Sequence, residues 1–175
     1  MMRYQPEWII EPYLTMFPDY EFIDSLRLEL PRPPSSNKAF RPLTQSEQLR
    51  AKLNGKKLFG LRKTEDYRNW NRLSAIHLRN SSKFEACEDF SEKMNECTRY
   101  AIAHGVWRIR EICDITNYTK CMHDWLVRHK IIADDSLVDQ AVQYAIEPNN
   151  HFCYVDIYAF NPRSSKFGLR GNIPL

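Results

Sequence analysis

The second half of the chain alternates between β-like and helical periodicity, and this alternation restricts the fold most strongly. Residues 98–112 and 137–146 are β-like. Between them, residues 117–130 have helical periodicity, since about 100° per residue collects the large apolar side chains on one side. These side chains are Tyr118, Met122, Trp125 and Leu126. A two-sided helix between strands predicts an α/β (α+β) fold in which its apolar side packs on a sheet.

Three further elements are predicted in the first half. Residues 25–30 alternate polar and apolar side chains, which is typical of a strand with one buried face, and the strand ends at Pro31. Thr64 is suited to cap a helix over residues 65–79, because acidic side chains follow it in the first turn. A second, short helix is predicted within the acidic stretch 81–96.

The remaining segments are predicted as follows. Residues 35–60 form a basic loop. Gly105 marks a bulge in its strand. Residues 151–160 form a last strand, joined to 137–146 by the turn-forming residues 147–150, so that the two strands make an antiparallel pair.

Composition limits the class of protein. The chain has 175 residues, 43% hydrophobic and 27% charged, which suits one globular domain. Its five cysteines form no C-x-x-C pair and the histidines show no zinc spacing, so we expect reduced thiols and no structural zinc. No apolar run approaches the roughly 20 residues of a membrane-spanning helix, and no signal peptide is evident. A soluble cytoplasmic protein without membrane contact is expected.

Charge is distributed unevenly along the chain. Residues 1–31 carry six acids and two bases, whereas residues 32–72 carry eleven bases and three acids. Aromatic side chains are interleaved with these bases, as in surfaces that bind a phosphate backbone. A solvated surface without a ligand explains the charge equally well at this point.

Carboxylates occur at both ends of the two-sided helix. Asp114 precedes it, and Asp134 and Asp135 follow it. If they met at one sheet edge, Mg²⁺ would offset their repulsion in the presence of phosphate, with Lys120 placed to stabilise charge on the phosphate. The alternative is that these aspartates are only helix-cap and turn residues.

Four blocks of sequence, in order, resemble the RusA-type Holliday junction resolvases. L-E-L-P-R-P-P-S-S-N at residues 28–37 is similar to the opening strand and proline turn of that family. D-I-T-N-Y-T-K at 114–120 resembles its D-x-D-N-x-x-K motif, and Asp124 with Leu126 matches the following D-A-L. I-A-D-D-S at 132–136, with Val138, resembles its D-D-x-x-V segment.

The resemblance implies a small mixed sheet with two main helices, in the order strand, helix, strand, helix, strand, strand. It implies a homodimer that cuts four-way DNA junctions with Mg²⁺, or Mn²⁺, in a bacterial or phage-infected cell. By position, Asp114, Asp134 and Asp135 would bind metal, with Asp114, Lys120 and Asp135 catalytic. Thr116, Asn117 and Asp124 would support the site. The bases expected to hold DNA phosphates are Arg32, Lys38, Arg41, Lys56, Lys57, Arg62, Lys63 and Arg110.

The chain departs from the family pattern at several positions. Thr116 stands where the motif has its second aspartate, and a neutral hydroxyl is a weak metal ligand. Ala145 stands where many relatives have a base. An acidic extension (1–24) and an insert (about 81–96) flank or interrupt the predicted nuclease domain (25–160), which a basic tail (161–175) follows.

Two alternatives to a nuclease therefore stay open. One is a protein of the same fold that binds branched DNA without cutting it. The other is an interaction module that docks a partner through the aromatic side chains of the amino-terminal stretch, Trp8, Tyr13, Phe17, Tyr20 and Phe22. Packing of those aromatics against the core would remove the ground for the second.

Overall fold

A computed structural model describes residues 7–54, 61–107, 116–146 and 152–163. The fold is mixed α/β, with helices packed on a four-stranded mixed sheet, which confirms the predicted class. The helices are α1 (Glu7–Met16), α2 (Ser36–Ala39), α3 (Gln45–Leu53), α4 (Glu65–Arg79), α5 (Lys83–Glu92) and α6 (Thr116–Arg128). The strands are β1 (Tyr20–Pro31), β2 (Phe40–Pro42), β3 (Leu61–Lys63), β4 (Arg99–Trp107), β5 (Val138–Ile146) and β6 (Phe152–Pro162).

The main sheet has the strand order β1, β6, β4, β5, and β2 pairs separately with β3. β6 runs antiparallel to both of its neighbours, while β4 and β5 are parallel. Parallel neighbours need a crossover connection, and α6 supplies it. The periodicity that predicts α6 is confirmed, because Tyr118, Met122, Trp125 and Leu126 are all buried.

The predicted antiparallel pair of the last two strands is wrong, because β4 lies between β5 and β6. The physical reason is visible in β6, where every residue from 155 to 160 is buried. A strand covered on both faces belongs in the middle of a sheet, with a hydrogen-bonded neighbour on each side. If β5 paired with β6 in a hairpin, β4 could not occupy that side of β6.

The sheet buries both faces against helices. On one face, leucines of β1 and the alternate residues Val155 and Ile157 of β6 pack on the apolar sides of α4, α5 and α6. On the other face, α1 covers Tyr158 and Phe160. Tyr13 of α1 is fully buried, stacks on Phe160 with ring centroids 3.9 Å apart, and donates a hydrogen bond of 2.7 Å to Asp139 of β5.

Part of the acidic extension (1–24) therefore belongs to the hydrophobic core and to the main sheet. β1 begins at Tyr20, so the proposed boundary at residue 24 falls inside a strand of the sheet. Of the amino-terminal aromatics, Tyr13 is buried, and Trp8, Phe17 and Phe22 stay exposed. The proposed tail begins within β6, and residues 164–175 lie outside the described part.

The prediction of a basic loop over residues 35–60 is wrong for the residues the structure describes, which include α2, β2 and α3. α3 starts at a capping box, a pattern that was readable in the sequence. The backbone amide of Thr44 donates to Glu47 Oε2 over 2.9 Å, and the Glu47 amide donates to Thr44 Oγ1 over 3.4 Å.

The helices α4 and α5 confirm two other predictions. Thr64 caps α4, with Oγ1 accepting from the Tyr67 amide at 3.4 Å. α5 lies within the predicted acidic stretch. No helix among those described is long and apolar enough to cross a membrane.

The bulge predicted at Gly105 is instead found between Tyr100 and Ala101, where the register of β4 against β5 shifts. Gly105 has a different role. A Cβ at this position would lie 2.7 Å from ring atoms of Tyr144 on β5. The missing side chain makes room for that ring, whose hydroxyl donates to Asp156 Oδ2 over 2.9 Å.

We therefore expect Gly105→Ala to lower the free energy of unfolding by about 1–3 kcal/mol through overpacking. Urea denaturation measures the change. In a Tyr144→Ala background the same substitution should cost far less, because the clashing ring is gone. A rise in stability for Gly105→Ala alone, as expected in an uncrowded strand, would contradict the crowding.

Candidate functional site

Helix α6 presents a charged stripe on the side opposite its buried face. Lys120, Asp124 and Arg128 are four residues apart, so they lie above one another on the helix. Lys120 and Arg128 are exposed and Asp124 is half-buried. The fully buried Trp125 and Leu126 fix the helix against the sheet, so the stripe has a defined direction.

The carboxyl-terminal turns of α6 line a surface groove of about 490 Å³. Its lining residues are Lys63, Asp124, Val127, Arg128 and Asp135. Asp135 comes from the 3₁₀ turn, Asp135–Leu137, that leads into β5. Residues from β3, α6 and this turn, distant in sequence, thus surround one open space with two carboxylates and two cations.

Lys63 is held in place at the groove. Its Nζ lies 3.1 Å from Asp124 Oδ2, donates to the hydroxyl of Tyr67 over 3.2 Å and sits 4.5 Å from the centre of the Tyr67 ring. Partial burial lowers the pKa of Lys63, but the hydrogen bonds to Asp124 and Tyr67 outweigh it and raise that pKa above its ordinary value. Lys63 is therefore cationic at neutral pH.

The two neighbouring aspartates have different roles. Asp134 is turned to the backbone, where its Oδ1 accepts from the Ser136 amide over 2.8 Å. Hydrogen bonds from Ser136 lower the pKa of Asp134. Asp134 thus acts as the cap of the 3₁₀ turn, as the turn alternative predicts, and Asp135 is the one that faces the groove.

The other basic candidates lie farther along the surface. Lys120 Nζ is 5.2 Å from the centre of the Phe40 ring. Arg32 donates to the Tyr118 hydroxyl over 2.7 Å. Lys38 is exposed.

Arg41 and Arg62, predicted to hold DNA phosphates, both pair with a carboxylate of this chain. Arg41 Nη2 lies 2.8 Å from Glu47 Oε1, and Arg62 contacts the same carboxylate. Their charge is therefore partly offset within the chain.

Several predicted site residues lie outside the described part of the structure: Asp114, Lys56, Lys57 and Arg110, and the side chains of Thr116, Asn117 and Ala145. The backbone still constrains the motif. Thr116 begins α6, and Asp124 follows it by about 12 Å along the helix axis. The groove with Asp135 thus lies near the end of α6, opposite the end at which the D-x-x-N-x-x-K motif begins.

The groove residues fit a divalent ion in part. Within the described ranges, no three His, Cys, Asp or Glu side chains come together as a metal site. Asp124 and Asp135 do share the groove. Mg²⁺ is commonly bound through one or two carboxylates together with substrate phosphate and water, so this pair is a suitable protein contribution.

His104 of β4 is fully buried and contacts the half-buried His123 of α6. Nε2 of His104 on β4 lies 2.9 Å from Nε2 of His123 on α6. Burial, and then the proximity of His123, lower the pKa of His104 to about 3. Burial also lowers the pKa of His123, although Asp135 and Asp124 oppose that shift. Both rings are neutral at pH 7, so a single N–H joins them.

The sequence interpretation missed His104, His123, Tyr67 and Arg128. The sequence could have indicated Arg128, since this residue lies one helical turn after Asp124 on the polar side of α6. No sequence signal pointed to His104 and His123, because nineteen residues separate them and only the packing of α6 on β4 brings the rings together.

The sequence matches no protein-family model, and no curated protein matches it significantly.

The His104 site predicts a pH dependence of stability. The unfolded chain protonates His104 near pH 6.5, whereas the folded chain resists protonation down to about pH 3. Below pH 6.5 the unfolded state binds more protons, so the free energy of unfolding falls on acidification, by up to about 1.4 kcal/mol per pH unit from this group.

Denaturant unfolding between pH 7 and pH 4 measures this effect. His104→Gln should be less stable at pH 7, yet lose stability less steeply on acidification than the wild type. Parallel curves for the two proteins would show that His104 does not carry the dependence.

Proposed function

We propose that this protein is a Mg²⁺-dependent endodeoxyribonuclease that cuts four-way DNA junctions. The observation that carries the proposal is the groove lined by Lys63, Asp124 and Asp135, of which Lys63 belongs to the most basic stretch of the chain. Phosphodiester hydrolysis needs carboxylates for a divalent ion and a cation for the phosphate. This groove has both.

The placement of the resembling segments supports the same proposal. The L-E-L-P segment lies at the end of β1, the motif containing Lys120 runs into α6, and the Asp134–Asp135 pair lies at the turn before β5. The order of main elements, β1, α4, β4, α6, β5 and β6, is the one that the resemblance implies. Of the residues that the resemblance relates to a nuclease site, Asp124 and Asp135 both line the groove.

The residues of the groove would have different roles in phosphodiester hydrolysis. Asp135 and Asp124 would hold the ion, and Mg²⁺ there would polarise the scissile phosphate as a Lewis acid. Lys63, which Tyr67 and Asp124 hold in place, would donate to a phosphate oxygen as a third partner. Arg128 supplies a further cation at the rim of the groove.

A homodimer fits the substrate. A four-way junction is resolved by paired cuts in symmetric strands, and two copies of one site related by a two-fold axis can make them. The proposal places the protein in the cytoplasm of a bacterial or phage-infected cell, where such DNA forms.

We expect Asp135→Asn and Lys63→Gln each to slow Mg²⁺-dependent cleavage of a synthetic four-way junction by about 100-fold or more, because each removes charge that stabilises the transition state. Cleavage of end-labelled junction strands measures the rate. The matched control is Asp89→Asn, at an exposed position of α5, which should cleave like the wild type. A wild-type protein that leaves the junction intact with Mg²⁺ or Mn²⁺ would contradict the proposal.

A second candidate function is binding of branched DNA without cleavage. Thr116 in place of the motif aspartate favours it, and so does the engagement of Asp124 with Lys63, since both reduce the carboxylates left for metal. In this case the same basic surface holds the junction and the groove is catalytically silent.

The response of the wild type to Mg²⁺ separates the two candidates. If the natural protein is a nuclease, it cuts the junction and Asp135→Asn abolishes the activity. If it only binds, the junction stays intact with Mg²⁺ or Mn²⁺, although the protein still binds it in EDTA. Isothermal titration with Mg²⁺ should show weaker binding for Asp135→Asn, since the substitution removes a carboxylate of the groove.

A further inference from the structure

Helix α3 has its apolar side chains on the outside. Leu49 and Leu53 are 60% and 78% exposed, whereas Ala51, on the opposite side of the helix, is only 6% exposed. Leu49 and Leu53 are four residues apart and so form one exposed apolar strip, a turn in length. An amphipathic helix at the surface of a protein normally turns its apolar side chains toward the core.

The orientation of α3 is fixed by polar contacts on its inner side. Glu47 accepts hydrogen bonds from Arg41 on β2 over 2.9 Å and 2.8 Å, and it contacts Arg62 on β3. The hydrogen bond from Arg41 is the main reason that the pKa of Glu47 lies well below its usual range. Glu47 also closes the capping box with Thr44. The strip therefore faces away from the two strands that flank the helix.

Cations border the exposed strip. Arg50 and Lys52 of α3 are both exposed, and helical geometry places them on either side of the line from Leu49 to Leu53. The arm formed by β2, α3 and β3, residues 40–63, carries seven bases and one acid. An apolar strip bordered by Arg50 and Lys52 matches a ligand that presents both phosphates and apolar ring faces.

The arm also reaches the candidate site. Its last residue, Lys63, is the groove lysine that pairs with Asp124. The arm therefore carries both the strip and one of the groove residues.

We propose that α3 is a wedge for branched DNA, in which Leu49 and Leu53 pack on the unstacked base pairs at the branch point while Arg50 and Lys52 bind the flanking phosphates. The proposal rests on the proposed function for its substrate and adds how a branch is distinguished from a linear duplex. Apolar wedges of this kind insert between base steps at a cost of unstacking. At a branch point that cost is lowest, because stacking is already interrupted.

A lipid surface is the less suitable ligand. Interfacial helices bury a long apolar face, whereas α3 has nine residues and two exposed leucines. Two leucines one turn apart are instead commensurate with the exposed face of one or two base pairs.

The test is a binding experiment in EDTA, so that it does not depend on cleavage. The variant is Leu49→Gln/Leu53→Gln, which keeps helix propensity and charge. The matched control is Leu73→Gln/Ile76→Gln on α4, where the two side chains are 52% and 49% exposed. Fluorescence anisotropy measures the Kd for a four-way junction and for a linear duplex of the same sequence. 2-Aminopurine at the branch point reports unstacking.

We expect the α3 variant to lose about 10- to 100-fold in junction affinity and to change duplex affinity by less than about 2-fold. It should also lose the 2-aminopurine signal, while the control behaves like the wild type and circular dichroism shows both variants folded. Equal affinities of the wild type for junction and duplex would overturn the wedge. So would an α3 variant with wild-type junction affinity, or binding to anionic phosphatidylserine vesicles that alone depends on the two leucines.

Failure of the wedge and failure of the proposed function are distinguishable. If the α3 variant keeps junction affinity and the wild type cuts in Mg²⁺, only the wedge is wrong. If the α3 variant loses junction affinity and the wild type does not cut, the wedge stands and the nuclease is wrong.

Discussion

The structure depends on the double pairing of β6. This strand is hydrogen-bonded to β1 along one side and to β4 along the other, and its residues 155–160 are buried on both faces. β5 joins the sheet only through β4. The crossover from β4 to β5 then sets the line of α6, whose buried face lies on the sheet and whose last turns meet Asp135. The groove is thus a consequence of strand order.

The ion pair between Lys63 and Asp124 connects the basic arm to this groove. Lys63 keeps 41% of its side chain exposed, and such partly exposed pairs contribute about 0–1 kcal/mol to stability. The pair is therefore a weak constraint on folding. Its physical effect is local, because it fixes where the ammonium group of Lys63 sits between Asp124 and Tyr67.

Local sequence patterns predicted individual helices and strands, whereas tertiary packing determined the order of the strands in the sheet. The periodicity of α6, the Thr64 cap of α4 and the alternating side chains of β1 were sufficient to place those elements. The partner of β6 was not predictable from a turn signal, because a continuous buried run indicates a central strand without naming its neighbours. α3 was missed although Thr44 and Glu47 have capping-box spacing, since only Leu49, Ala51 and Leu53 of its nine residues are apolar and its periodicity is weak.

The sequence predicted which residues belong to the candidate site, but not how they are arranged. Asp124, Asp135 and Lys63 were all singled out, but their meeting in one groove depends on how α6, β3 and the turn before β5 pack. The paired rings of His104 and His123 depend on tertiary packing alone.

The Glu47 clamp has an implication for how such a chain can change. A single carboxylate ties both strands of the arm and the start of its helix together, and these contacts are all internal to residues 40–63. Substitutions at the outward positions of α3 leave this network in place. Loss of the Glu47 carboxylate would instead remove the partner of two arginines and one half of the capping box at once, so the shape of the arm depends on one side chain.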